Sequence, residues 1–282
     1  MAEQIYTDGA AAKPGSSSSI PVGGSMSVAE KKATRNYRMD HPRRGRALIF
    51  NHLIFRDAAL SDRVGTDQDA VNLRSTLDNL GFDVSVHHNL KFRQIEVILK
   101  SEAEADHSNS DCLFVAMLTH GWENDKVWAQ DMPFSTKTFW TTFSSTDCPS
   151  LAGKPKIFLV QACRGEQTNE PVLVPKAGSQ SSSNVMISIP NHADCLLIFS
   201  SIPGFYSMRN TVSGSWLVQA FCRVMDAEKF DDDLVSIVTE VSRVVASDFE
   251  AIIPDENQRD ISHKQMCCFT SMLRKKVQFA KK

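Results

Sequence analysis

Lys156-Ile157-Phe158-Leu159-Val160-Gln161-Ala162-Cys163-Arg164-Gly165 is the stretch that decides how this chain of 282 residues is read. An apolar run of strand length, bounded by Pro155 and Gly165, ends on a cysteine. Apolar residues without alternation have the pattern of a parallel strand buried on both faces. Open α/β sheets take their ligands in the crevice outside the C-terminal ends of such strands. The thiol of Cys163 is therefore expected on a rigid edge, with Gly165 turning the chain away from the sheet. A lone cysteine after a strand is most often an inert core thiol. A second stretch argues otherwise here.

Cys112-Leu113-Phe114-Val115-Ala116-Met117-Leu118-Thr119-His120-Gly121 has the same form, an apolar strand closing on a polar residue and a glycine. If the two strands are neighbours in one parallel sheet, His120 and Cys163 emerge at the same edge. An imidazole beside a thiol can take its proton, and the thiolate can attack a carbonyl. The amides of Gly121 and Cys163 could then face the oxyanion.

Gln161-Ala162-Cys163-Arg164-Gly165, with His120 upstream, resembles the nucleophile signature of the caspases. The match extends along residues 34 to 277 and is nearest to the executioner type. The resemblance implies a caspase-like α/β fold: a doubly wound, mostly parallel sheet flanked by helices on both faces. It also implies a cysteine endopeptidase that cuts proteins after aspartate, an executioner of apoptosis. Cys163 would be the nucleophile, His120 the base and then the acid, and Gly121 an oxyanion donor.

The same resemblance assigns the substrate pocket. Arg63-Val64-Gly65-Thr66-Asp67 fits the family's Arg-Ser-Gly-Thr-Asp loop, whose arginine receives the substrate aspartate (P1). A planar guanidinium grips a carboxylate through paired, charge-assisted bonds. Gln161 and Arg209 would join it, with Ser207 nearby. Arg209 comes from Pro203-Gly204-Phe205-Tyr206-Ser207-Met208-Arg209-Asn210, which is similar to the family's Pro-Gly-Tyr-Tyr-Ser-Trp-Arg-Asn. Trp216, in Gly214-Ser215-Trp216, would wall the pocket for the fourth residue before the cut, and a core tryptophan is the other reading. The carbonyl of Ser61 falls where the family orients its histidine.

Three departures stand out. Trp122 follows His120-Gly121 where the family usually has Glu. Met208 replaces a Trp, and a flexible thioether makes a softer wall. The segment 167–190, rich in Pro and Ser, corresponds to the inter-subunit linker that the family cuts after Asp. Here no Asp lies between Cys163 and Asp194, and the only acids are Glu166 and Glu170. Activation by a cut after Glu170, by another protease, or without a cut all remain open.

The remaining organisation follows in order. Residues 1–34 read as a short disordered N-terminal peptide, residues 35–166 as a large subunit, and 191–282 as a small subunit. The basic run from Lys31 to Arg46 reads as a solvated arm. Strands are expected at Ala47–Phe50 and Phe82–Val86. Helices are expected from a Thr66 or Asp67 cap to Leu80 and over Phe92–Leu99. Further along come a strand at 195–199, helices over Trp216–Val224 and Leu234–Val245, a polar loop over 252–260 and a last strand over 266–273. In the resembled family that strand pairs with a second copy across a two-fold axis.

Composition bounds the rest. A chain 42% hydrophobic with net charge −2 can bury a sizeable core, and gives no reason to expect nucleic acid as a partner. No apolar run spans a bilayer, so no membrane is expected. Seven irregularly spaced cysteines point to free thiols in a reducing, cytoplasmic setting. No metal or organic cofactor is called for. The partners expected are protein substrates with an exposed Asp, a second copy forming a homodimer, an upstream activating caspase that cuts the zymogen, and inhibitor proteins. A reading of another class is a catalytically weak, caspase-like regulator that pairs with an active caspase. An unrelated cysteine hydrolase on a doubly wound sheet is a third.

Overall fold

In the computed structural model, the residues described are 35–164, 191–254 and 260–282, together with Gln4–Ile5 paired antiparallel to Gly15–Ser16. The linker 167–190, Gly165 and the rest of the N-terminal peptide lie outside the described residues. The central elements are β1 (Arg46–Asn51), α1 (Thr66–Asn79), β2 (Asp83–His88), α2 (Phe92–Glu104), β3 (Leu113–Leu118) and β4 (Lys156–Gln161). After the linker come β5 (Cys195–Phe199), α3 (Trp216–Glu228), α4 (Leu234–Asp248) and β6 (Cys268–Ser271).

The six strands form one sheet in the order β6-β5-β4-β3-β1-β2, parallel throughout except for β6, which runs antiparallel to β5. The expected doubly wound α/β sheet is therefore present. Its two halves are continuous, because β5 pairs directly with β4 from Cys195 beside Lys156 to Phe199 beside Val160. β3, β4 and β5 are buried at every residue, which is why they lack alternation. Their side chains feed two cores. One includes Leu73 and Leu77 of α1, Phe221 of α3 and Val241 of α4. The other includes Ile95 and Leu99 of α2 with Phe134, Phe139 and Phe143.

The chain winds from β1 outward to β2 and then back past β1 to β3. That reversal opens a crevice at the C-terminal ends of β1 and β3. The register keeps these ends level: Asn51 pairs with Leu118, and Leu118 with Gln161. Two more bonds carry the ladder past the strand ends, His52 N–H to Leu118 O at 2.9 Å and Thr119 N–H to Gln161 O at 3.1 Å.

Three expectations need correction. Neither Thr66 nor Asp67 caps α1; Gly65 does, with φ of 92° and no side-chain bond. The Thr66 hydroxyl is taken by Arg63, whose Nη1 donates to it at 2.6 Å, and it donates in turn to Asn51 Oδ1 at 2.7 Å. The expected loop at 252–260 is strand at both its ends, Ala251–Pro254 and Asp260–His263, which pair antiparallel, while 255–259 lie outside the described residues. The basic run is not wholly solvated: Arg44 is buried and bonds Asp111 at 2.8 Å. Among the described residues, no helix is long and apolar enough to cross a membrane.

Candidate active site

The catalytic edge is assembled by backbone contact between two strand ends. A Cβ on Gly121 would stand 1.6 Å from the Cys163 carbonyl oxygen, so only glycine lets these segments touch. His120 and Cys163 therefore emerge side by side, as the matched strands predict. The Cys163 thiol is half-buried. It lies 3.4 Å from the Ser207 N–H and 3.7 Å from the Ser207 carbonyl. Among the described residues no acceptor is recorded for the Cys163 N–H, which leaves that donor available to an oxyanion beside the thiol.

His120 Nε2 lies 2.8 Å from the Ser61 carbonyl, and the Phe55 ring packs on the imidazole at 4.8 Å. A proton on Nε2 donated to that carbonyl leaves Nδ1 with its lone pair. Burial holds the imidazole below its ordinary range, and the cations Arg63 and Arg209 push the same way against the Ser61 carbonyl. The histidine is thus kept neutral, the form that accepts a thiol proton.

Two guanidiniums share the cleft. Arg63 is 3% exposed, and its Nη1 donates to the His52 carbonyl at 3.1 Å and to Thr66. Arg209, half-buried on the short strand Arg209–Asn210, donates to the Val64 carbonyl. Among the described residues neither forms an ion pair with a carboxylate. Burial lowers both and Arg209 lowers Arg63 further, while the charge of Asp69 and then that of Cys163 act on both in the opposite sense. A pocket with two partly desolvated cations is poised for an anion, because a carboxylate would restore what burial removes.

Gln161 completes this wall. It is buried, its Nε2 donates to Ser207 Oγ at 2.6 Å, and among the described residues its Oε1 has no partner. Trp216 opens α3 and is 7% exposed. Its ring stacks on Phe249 at 5.5 Å, and its backbone N–H donates to the Met208 carbonyl at 3.3 Å. Arg63, Gln161, Ser207 and Arg209 are thus tied by bonds or charge to Cys163 and one another, and Trp216 reaches the cleft through Met208.

Several residues that matter here escaped the sequence. Asp69, fully buried on α1, accepts bonds from the Ser215 N–H at 2.7 Å and hydroxyl at 2.6 Å. It ties the Arg63 loop to the Arg209 hairpin, and its charge acts on both guanidiniums. Burial raises its pKa, while Ser215 and the two arginines oppose the rise. An acid beside Ala70 on the apolar face of a helix was the available signal. Gly65 sits at the same junction, where a Cβ would meet the Asn210 carbonyl at 2.5 Å. Gln265, 2% exposed, accepts the Met208 N–H at 2.6 Å and donates to the Ser200 carbonyl at 2.7 Å. Arg164, after the nucleophile, bonds Asp125 at 2.6 and 3.1 Å and stands 4.3 Å over the Phe199 ring.

A model of the caspase domain matches residues 44–278. The chain belongs to the caspase family. It is 41% identical to Caspase-1 of Spodoptera frugiperda over 258 residues, covering 90% of this chain and 86% of that protein. It is 39% identical over 248 residues to Caspase drICE of Drosophila melanogaster, covering 87% of this chain and 73% of the relative. It is 39% identical over 257 residues to Caspase-6 of Gallus gallus, covering 86% and 83%. The crystal structure of Caspase-1 from Spodoptera frugiperda superposes with a TM-score of 0.81 at 39% identity, covering 94% of this caspase and 97% of that chain. The protein is accordingly a cysteine endopeptidase of the caspase family.

Proposed function

We propose that this caspase cuts protein substrates after aspartate and acts as an executioner of apoptosis. The observation that carries the substrate class is the pair Arg63 and Arg209, cations beside Cys163 that among the described residues form no ion pair with a carboxylate. The P1 carboxylate takes that place, with Gln161 and Ser207 completing its bonds. Asn, of similar shape but neutral, leaves the guanidiniums uncompensated.

Chemistry then proceeds by acyl transfer. His120 takes the Cys163 proton, and the thiolate attacks the scissile carbonyl to form a C–S bond. The Cys163 and Gly121 amides stabilise the oxyanion. The C–N bond breaks as the imidazolium gives its proton to the leaving amine. A water, deprotonated by His120, then releases the acid and restores the thiol. Ser61 holds the imidazole through its carbonyl. Trp216 backs the cleft for substrate residues further upstream.

Edge strand β6 offers an unpaired side for a second copy, which supports a homodimer. A cytoplasmic zymogen, an activating caspase and inhibitor proteins complete the executioner reading. With no Asp between Cys163 and Asp194, and with Asp194 buried and bonded to Arg274 and Tyr37, processing falls after Glu170, is carried out by another protease, or is not needed. A fragment beginning at Pro171 supports the first course; active enzyme without fragments supports the last.

The test is turnover of peptides differing only at P1, as Asp, Glu, Asn or Ala, by wild type, Cys163→Ala and Arg63→Ala. Cleavage confined to Asp with weak Glu, lost in both variants, is expected. Cleavage indifferent to P1 charge would overturn the arginine pocket. No turnover, even with the linker cut by an added protease, would favour the regulator, a reading motivated by Trp122, Met208 and the Asp-free linker.

A further inference from the structure

The two faces of the sheet meet the substrate differently. The helices that follow the Arg63 loop and the Arg209 hairpin pack on one face, in the core with Met208 and Trp216. On the other face a three-stranded sheet, Gly121–Trp122, Lys126–Trp128 and Pro133–Ser135, buries Val127 and Phe134 in the second core. Cys163 ends a strand that lies between these layers. A peptide whose P1 carboxylate rests on Arg63 and Arg209 has its upstream half over the first layer. Past the scissile bond it leaves over the second, beside His120, which protonates the departing amine.

That exit is lined by aromatics. Phe55 packs on His120, and its loop is fixed by the Arg56 N–H bond to the Gln130 carbonyl at 2.8 Å. Trp122, two residues after His120, is 47% exposed. It stands edge-on to the buried Trp128, with ring centroids 5.5 Å apart at 90°. The backbone N–H of Trp128 in turn donates to the His120 carbonyl at 2.9 Å. At the far turn of the same hairpin, Asp125 grips Arg164, so the hairpin is anchored on both sides of the nucleophile. An exposed indole held on a rigid base loses little entropy on contact, the property of a binding platform.

We infer that Trp122, with Phe55, forms a subsite for the residues that follow the scissile bond and selects an apolar side chain at the second of them (P2′). The inference rests on the protease reading above and deepens it, since it concerns the leaving half of the substrate. It also gives a physical role to the departure from the Glu usual at this position: a carboxylate there would favour a cation, whereas the indole favours apolar surface.

The experiment compares two quenched fluorescent peptides, identical through P1 Asp and with Gly next, carrying Leu or Ser at P2′. Wild type is expected to cleave the Leu peptide with kcat/KM about fivefold higher, the effect of burying part of one Leu side chain. Trp122→Glu is expected to bring the ratio to about one, and Trp122→Phe, which keeps a platform, to retain most of it. Thermal melting of each variant checks the fold, and the ratio within one protein cancels any loss of active molecules. Equal cleavage of both peptides by wild type, or a ratio that survives in Trp122→Glu, would sink the subsite alone. Failure of wild type to cleave either peptide would sink the protease reading and this inference with it.

Discussion

Two buried guanidiniums at opposite ends of the sheet show how this fold separates structure from function. At the N-terminal ends of the strands, Arg44 bonds the Asp111 carboxylate and the carbonyls of Leu80 and Ala280. Asp111 also receives His41 and Lys282. At the C-terminal ends, Arg63 is equally buried but bonds only a carbonyl and a hydroxyl. A buried charge costs free energy unless it is paired. The fold meets that cost within itself at one edge and leaves it for the substrate to offset at the other. A buried arginine with its carboxylate therefore reads as scaffold, and one without it as a binding group.

The contrast can be broken most sharply at Arg63. Arg63→Met should lower kcat/KM for an Asp peptide on the order of 10³-fold or more. Its melting temperature should fall little, because among the described residues Arg63 forms no ion pair and its removal lifts a buried charge. Steady-state kinetics beside a thermal scan checks both, and a large drop in melting temperature would make Arg63 structural. Asp111→Ala should do the reverse, costing about 3–5 kcal/mol of stability by stranding Arg44. Its turnover per folded molecule should not change, as denaturant unfolding and active-site titration would show.

Gly121→Ala probes the junction rather than the charges. The added Cβ would force His120 and Cys163 apart, and a loss of roughly 10²- to 10³-fold in kcat is expected, the scale of losing one oxyanion donor. Activity within a few-fold of wild type would mean that the two strand ends need not touch.

The smallest effect is in pH. Neutral His120 is the competent base, so kcat/KM should fall as pH drops through its pKa. Burial and the two arginines place that limb below the ordinary histidine value of about 6.5. Arg63→Met removes one opposing cation and should move the limb upward. A wild-type limb above pH 6.5 would contradict the desolvated imidazole.

Much of this was legible in the chain because local rules sufficed. Continuous apolar runs closing on His120-Gly121 and Cys163-Arg164-Gly165 announced buried parallel strands, and their alternation with helices announced a parallel sheet covered on both faces. The Arg63 and Arg209 loops were legible through family motifs. Asp69, Phe55, Gln265 and Asp125 were not, since each acts on residues far away in sequence. The Thr66 cap failed for the same reason: a distant hydrogen-bond network outcompeted the local one. The pairing of Ala251–Pro254 with Asp260–His263 was not legible because these short strands find each other across a polar stretch, and no local pattern marks that partnership.

The sequence by itself thus determined the buried strands, the placing of His120 and Cys163 at their ends, and the family. These depend on periodicity and on neighbours in the chain. Only the tertiary structure showed that Arg44 pairs with Asp111 while Arg63 forms no ion pair among the described residues, and that Phe55 packs on His120. Pairing and desolvation depend on groups brought together from distant parts of the chain, and no local pattern encodes them.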